Sequence, residues 1–99
     1  MATLIVKDPE QTYLVDLIAG ETLVVGRGPD CELPVTAERA SRKHAEVRAR
    51  ESGDVVVDLG STNGTLVNGA ALTGERILAD GDLVDVGGAT ILYRVHPPA

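Results

Sequence analysis

The sequence predicts an all-β fold, an antiparallel sandwich or barrel. Three observations carry that expectation. Short runs of Val, Leu and Ile recur along the chain, several with apolar residues at every second position. Glycine-containing turns separate these runs at short intervals. No segment carries helical periodicity beyond a possible single turn at Thr36 to Ala40.

In order along the chain, Leu4-Ile5-Val6 opens as a strand, and Tyr13, Val15 and Leu17 form an alternating set. Ala19-Gly20 turns the chain into Leu23-Val24-Val25, which stops at the Gly26 to Asp30 turn. Ala45, Val47 and Ala49 alternate with Glu46, Arg48 and Arg50, the pattern of a strand with one buried face. Ser52-Gly53-Asp54 then leads into Val55-Val56-Val57. Asn63-Gly64 and Asn68-Gly69 read as hairpin-type turns. Asp80-Gly81-Asp82 precedes Leu83, Val84 and Val86, and Gly87-Gly88 precedes Ile91-Leu92-Tyr93.

Bulk properties narrow the function classes. The chain has 99 residues, 43% of them hydrophobic, which suits one domain around a single core. Phe and Trp are absent, so the core is expected to be built from Val, Leu, Ile and Ala. The single domain is expected over residues 1–99, with a core of about 3–95 and a flexible tail at His96-Pro97-Pro98-Ala99. No apolar run is long enough to cross a membrane as a helix, and Met1 to Lys7 lacks a signal-peptide pattern. Cys31 is the one cysteine, so no internal disulfide can form and a cytoplasmic setting is expected. Between Asp30 and Glu32 it has no cation to activate it and reads as a partly buried small residue. Net charge of −6 argues against nucleic-acid binding, as does the lack of a stacking platform. Against that acidic background a local basic cluster is informative.

Three loop segments stand out. Gly26-Arg27-Gly28 brackets an arginine with glycines directly after an apolar strand. Glycine lets backbone approach closely, and a guanidinium fork suits phosphate or carboxylate. Ser41-Arg42-Lys43-His44 gathers a hydroxyl, two cations and an imidazole. His44 reads as a hydrogen-bonded residue that orders the loop rather than as a general base. Asp58 to Thr65 offers Ser61, Thr62 and Asn63 at a loop tip, and an Asn amide can both donate to and accept from an extended peptide. Taken alone, the first two segments read more readily as solvated surface.

Together and in this order the segments resemble the forkhead-associated (FHA) domain family. The matching residues are Gly26-Arg27, Ser41-Arg42-Lys43-His44, Asp58 to Thr65, Val67-Asn68-Gly69, and Gly81-Asp82 leading to Val86-Gly87. The resemblance covers essentially the whole chain. It implies an antiparallel β-sandwich of about eleven strands whose loops at one end bind phosphothreonine peptides. By the same resemblance, Arg27 pairs with the phosphate and Ser41 hydrogen-bonds a phosphate oxygen. Arg42 adds charge or its backbone N–H, Thr62 touches the phosphate region or the peptide, and Asn63 holds the peptide main chain. Gly26, His44, Gly64, Asn68 and Gly69 shape and brace those loops. Leu66 stands where many members carry an aromatic and is expected to fill the core.

The expected function is a non-catalytic module in Ser/Thr kinase signalling, acting as a monomer without metal or cofactor. Its expected partner is a phosphothreonine-containing kinase or kinase substrate, and neither nucleic acid nor membrane. A phosphothreonine carries about −1.5 to −2 charges and three acceptor oxygens. Three or four charge-assisted hydrogen bonds, less the cost of ordering a peptide, fit affinity on the order of micromolar. A cysteine phosphatase would need an arginine six positions after Cys31, where Ala37 stands. The alternative reading is a phosphate-independent assembly module that uses the sandwich surface.

Overall fold

A computed structural model describes residues 2–96. Eleven strands run through them: β1 (Ala2–Lys7), β2 (Thr12–Asp16), β3 (Thr22–Gly26), β4 (Leu33–Pro34), β5 (Ala45–Arg48), β6 (Val55–Asp58), β7 (Thr65–Val67), β8 (Ala70–Ala71), β9 (Glu75–Ile77), β10 (Leu83–Val86) and β11 (Ala89–Val95). They form two sheets, with strand orders β2-β1-β11-β10-β7-β8 and β4-β3-β5-β6-β9. The seven apolar runs of the sequence each become a strand. The other four, β4, β7, β8 and β9, have two or three residues each.

Alternation sorts the side chains. Leu4, Val6, Val84, Val86 and Ile91 of one sheet pack against Leu23, Val25, Val47 and Val56 of the other. Each such side chain, fully buried, contributes roughly 1.5–3 kcal/mol. Tyr93 joins the core and donates its hydroxyl to Asp54 Oδ2 at 2.6 Å.

Three local expectations change, and those for Asn68-Gly69 and for a single turn at Thr36 to Ala40 hold. The sandwich is not wholly antiparallel, because β4 pairs parallel to β3 (Val25 with Leu33, Gly26 with Pro34). An edge position tolerates the missing N–H of Pro34. Asn68-Gly69 does turn the β7–β8 hairpin, with φ of 51° and 85°. Asn63-Gly64 does not turn a hairpin, since β6 and β7 belong to different sheets and this loop crosses between them. Leu66 does not fill the core: β7 alternates buried, exposed, buried, so Thr65 and Val67 point in and Leu66 points out. Thr36 to Ala40 makes only a turn, closed by the Ala40 N–H to the Ala37 carbonyl at 3.1 Å.

Cys31 is half-buried and donates its S–H to the Arg42 carbonyl at 3.1 Å. Burial pushes its thiol pKa up, which keeps it protonated and unreactive. No helix among the described residues is long and apolar enough to cross a membrane. Pro97 to Ala99, most of the expected tail, lie outside the described residues.

Candidate phosphopeptide-binding site

The loops after β3, before β5 and between β6 and β7 meet at one end of the sandwich. Their meeting is fixed by backbone contact. The Arg27 N–H donates to the Ser41 carbonyl at 3.1 Å, and the Gly28 N–H to the Arg42 carbonyl at 3.0 Å. A Cβ on Gly26 would fall on the Arg42 carbonyl oxygen and lie 2.8 Å from that of Ser41. Glycine is therefore required at position 26 for close approach.

His44 ties the second loop to the third. It is fully buried. Its Nδ1 accepts the Ser41 N–H at 3.0 Å, and its Nε2 lies 2.8 Å from the Gly64 carbonyl. An acceptor at Nδ1 and a carbonyl at Nε2 require the neutral ring with its proton on Nε2. Both ring nitrogens are thus committed to bracing. Gly64 can present that carbonyl because its φ is 78°. The Thr62 N–H then donates to Ser41 Oγ at 3.1 Å, leaving the serine hydroxyl proton free to donate outward.

Asp58 holds the third loop from inside. Its carboxylate accepts the N–H groups of Gly60 and Ser61 and the hydroxyls of Ser61 and Thr65, at 2.6–2.9 Å. Partial burial would raise its pKa, but these four donors outweigh that and hold it at about 2.

The result is an open pocket of about 360 Å³ lined by Arg27, Glu38, Arg39, Ala40, Ser41, Arg42, Thr62 and Asn63. All five binding residues expected from the sequence lie on its wall. Arg27 is anchored by its Nε to the Ala40 carbonyl at 2.5 Å, and its two terminal nitrogens make no hydrogen bond among the described residues. Neither Arg39, Arg42 nor Lys43 joins an ion pair among the described residues. Asn63 Nδ2 donates to the Arg39 carbonyl at 2.8 Å, which leaves its Oδ1 and one N–H available. Such a pocket offers fixed cations and outward donors to a tetrahedral anion.

Of the expected bracing residues, Gly26, His44 and Gly64 touch the site. Asn68 and Gly69 do not. They sit at the far end of β7, where Asn68 accepts the Leu83 N–H and donates to Asp82 Oδ1. Asp58, Glu38 and Gly87 carried no assigned role in the sequence. Gly87 has φ of 63°, and a Cβ there would strike the Arg39–Ala40 backbone. Asp58 had a legible signal, an Asp two residues before a glycine with Ser and Thr beyond. Gly87 was legible as a turn residue and as part of the family match, but its packing against Arg39–Ala40 was not, because that neighbour lies some fifty residues away in the chain.

An FHA domain family model matches residues 23–87. The FHA domain-containing protein FhaA of Mycobacterium tuberculosis is 40% identical over 73 residues, 74% of this chain and 14% of FhaA. The oxoglutarate dehydrogenase inhibitor of Corynebacterium efficiens is 33% identical over 98 residues, 99% of this chain and 68% of the inhibitor. An FHA domain structure from a study of phosphothreonine-dependent interactions superposes with TM-score 0.83 at 37% identity, covering 98% of both chains.

Proposed function

Because the chain belongs to the FHA domain family, we propose that it is a non-catalytic module that binds phosphothreonine peptides on partner proteins in Ser/Thr kinase signalling. The observation that carries this reading is the unpaired guanidinium end of Arg27 beside the free Ser41 hydroxyl. Arg27 and Ser41 take the phosphate, with Arg42 adding its side chain or its N–H. Thr62 borders the phosphate, and Asn63 engages the peptide main chain with the half of its amide not spent on Arg39. His44, Asp58 and the glycines hold these groups in place and touch no ligand. An open pocket walled by unpaired cations and free donors suits recognition of a phosphorylated peptide. The names of its relatives, one of them an inhibitor, favour a regulatory role.

Calorimetric titration with a phosphothreonine peptide and its unphosphorylated twin tests the reading. The phosphorylated peptide should bind at on the order of micromolar affinity and the twin should not. Equal affinity for the two would sink the proposal.

A further inference from the structure

We propose that the outer face of the six-stranded sheet is a docking surface for a second copy of this chain. The register places one apolar residue from each of four neighbouring strands in a single row: Leu14, Ile5, Leu92 and Leu83. Leu14 is 66% exposed and Leu83 43%, with Ile5 and Leu92 half-buried between them. Strand spacing makes the row about 14 Å long. The other sheet's outer face is different. There Glu46, Arg48, Arg50 and Glu75 satisfy one another in ion pairs. That face also exposes Ile77, at 67%, but as one large apolar residue beside charges, whereas the first face carries four apolar residues in one row.

The charges flanking the stripe identify the occupant. The row on one side holds Asp16, Thr3 and Arg94, and the row on the other holds Lys7, Thr90 and Asp85. Two in-plane two-fold axes can lay the stripe on its own copy. An axis along the stripe brings Lys7 beside Asp16 of the second copy, and Asp85 beside Arg94. An axis along the strands brings Lys7 beside Asp85, and Asp16 beside Arg94. Either way opposite charges become neighbours one strand apart, about 5 Å in the plane of the face. Lys7, Asp16 and Asp85 have no ion-pair partner within one copy among the described residues, whereas Arg94 already pairs with Asp80 at 3.0 Å, so the Lys7 contacts carry most of the complementarity. The face is therefore self-complementary, as a two-fold interface requires.

The area places the contact in the weak class. Four strands by five residues make a face of roughly 300 Å². Two such faces come to roughly 600 Å², below the standard interface of about 1,200–2,000 Å². The dimer is weak and reversible. Its two pockets would grip a doubly phosphorylated partner with avidity. That consequence rests on the phosphothreonine reading; the pairing does not.

Sedimentation equilibrium of the peptide-free protein from 10 µM to 1 mM is the test. A monomer–dimer equilibrium is expected, weakened at least tenfold by Leu14→Glu. Leu14 is not among the residues lining the pocket, so this variant should keep wild-type phosphopeptide affinity, which also reports that it is folded. Lys7→Glu alone and Asp16→Lys with Asp85→Lys should each weaken pairing, and an equimolar mixture of the two variants should recover association. A monomer at 1 mM, a dimer indifferent to Leu14→Glu, or a mixture that does not recover would overturn the proposal. So would a dimer lost in Arg27→Ala, since pairing would then run through the pocket.

Discussion

Two groups of arginines in this molecule meet opposite fates. On the outer face of the five-stranded sheet, Arg48 binds Glu46 and Glu75 at 2.8 and 2.9 Å, and Arg50 lies 3.6 Å from Glu75. At the loop end, Arg27, Arg39 and Arg42 face a common pocket and no carboxylate pairs with them among the described residues. Side-chain chemistry is the same in both places. The difference lies in what the backbone brings nearby. Cross-strand register sets a carboxylate within reach of Arg48, whereas the loops surround Arg27 with carbonyls, hydroxyls and N–H groups. A cation held by a carbonyl keeps its charge uncompensated, and that suits it to a dianion.

The comparison can be broken in several ways, and the largest effect should come from His44. Replacing it with Ala removes a fully buried ring and orphans both the Ser41 N–H and the Gly64 carbonyl. Urea unfolding should show a loss of about 3–4 kcal/mol, with peptide affinity falling as the two loops part. Retained stability would mean that His44 braces nothing.

Arg27→Ala should leave folding intact and cost about 2–4 kcal/mol of phosphopeptide binding by calorimetry. Arg48→Ala, its paired counterpart, should leave peptide affinity unchanged, since exposed ion pairs carry little. If the two variants lose affinity equally, the loop arginines are not special.

Two pH series sharpen the same contrast at smaller amplitude. The phosphate's second pKa is about 6, so a site reading the dianion should lose about fourfold in affinity between pH 7.5 and 5.5. A flat titration would count against it. Asp58 titrates separately, on stability. Its folded pKa of about 2 lies below the ordinary 3.8, so its contribution is complete above about pH 4. That contribution is lost as pH falls towards 2. Allowing for solvent screening, unfolding midpoints should register about 1 kcal/mol in that window, and Asp58→Asn should flatten it.

The fold was legible because its signals are local. Alternation in Ala45-Glu46-Val47-Arg48 declares a one-sided strand without reference to any partner. β8 and β9 escaped because two or three mostly exposed residues carry no alternation to read. Leu66 was misplaced for a related reason: its inward or outward aim depends on the register of β7 against β10, which pairs it with Asp85.

The sequence by itself determined which residue types gather in the candidate pocket and their order, since Arg27, Ser41, Arg42, Thr62 and Asn63 all line it. It also determined that His44 would be spent on structure. Tertiary structure alone decided which groups stay free. The fork of Arg27 is free because its Nε is held by Ala40, and half of Asn63 is not free because Arg39 takes it. It also decided that Asn68 braces Asp82 and Leu83 rather than the site, and that Gly87 supports the Arg39 segment from β10. These are contacts between distant parts of the chain. Local propensity records what a residue can do, while sheet register and loop crossing decide which partner it meets.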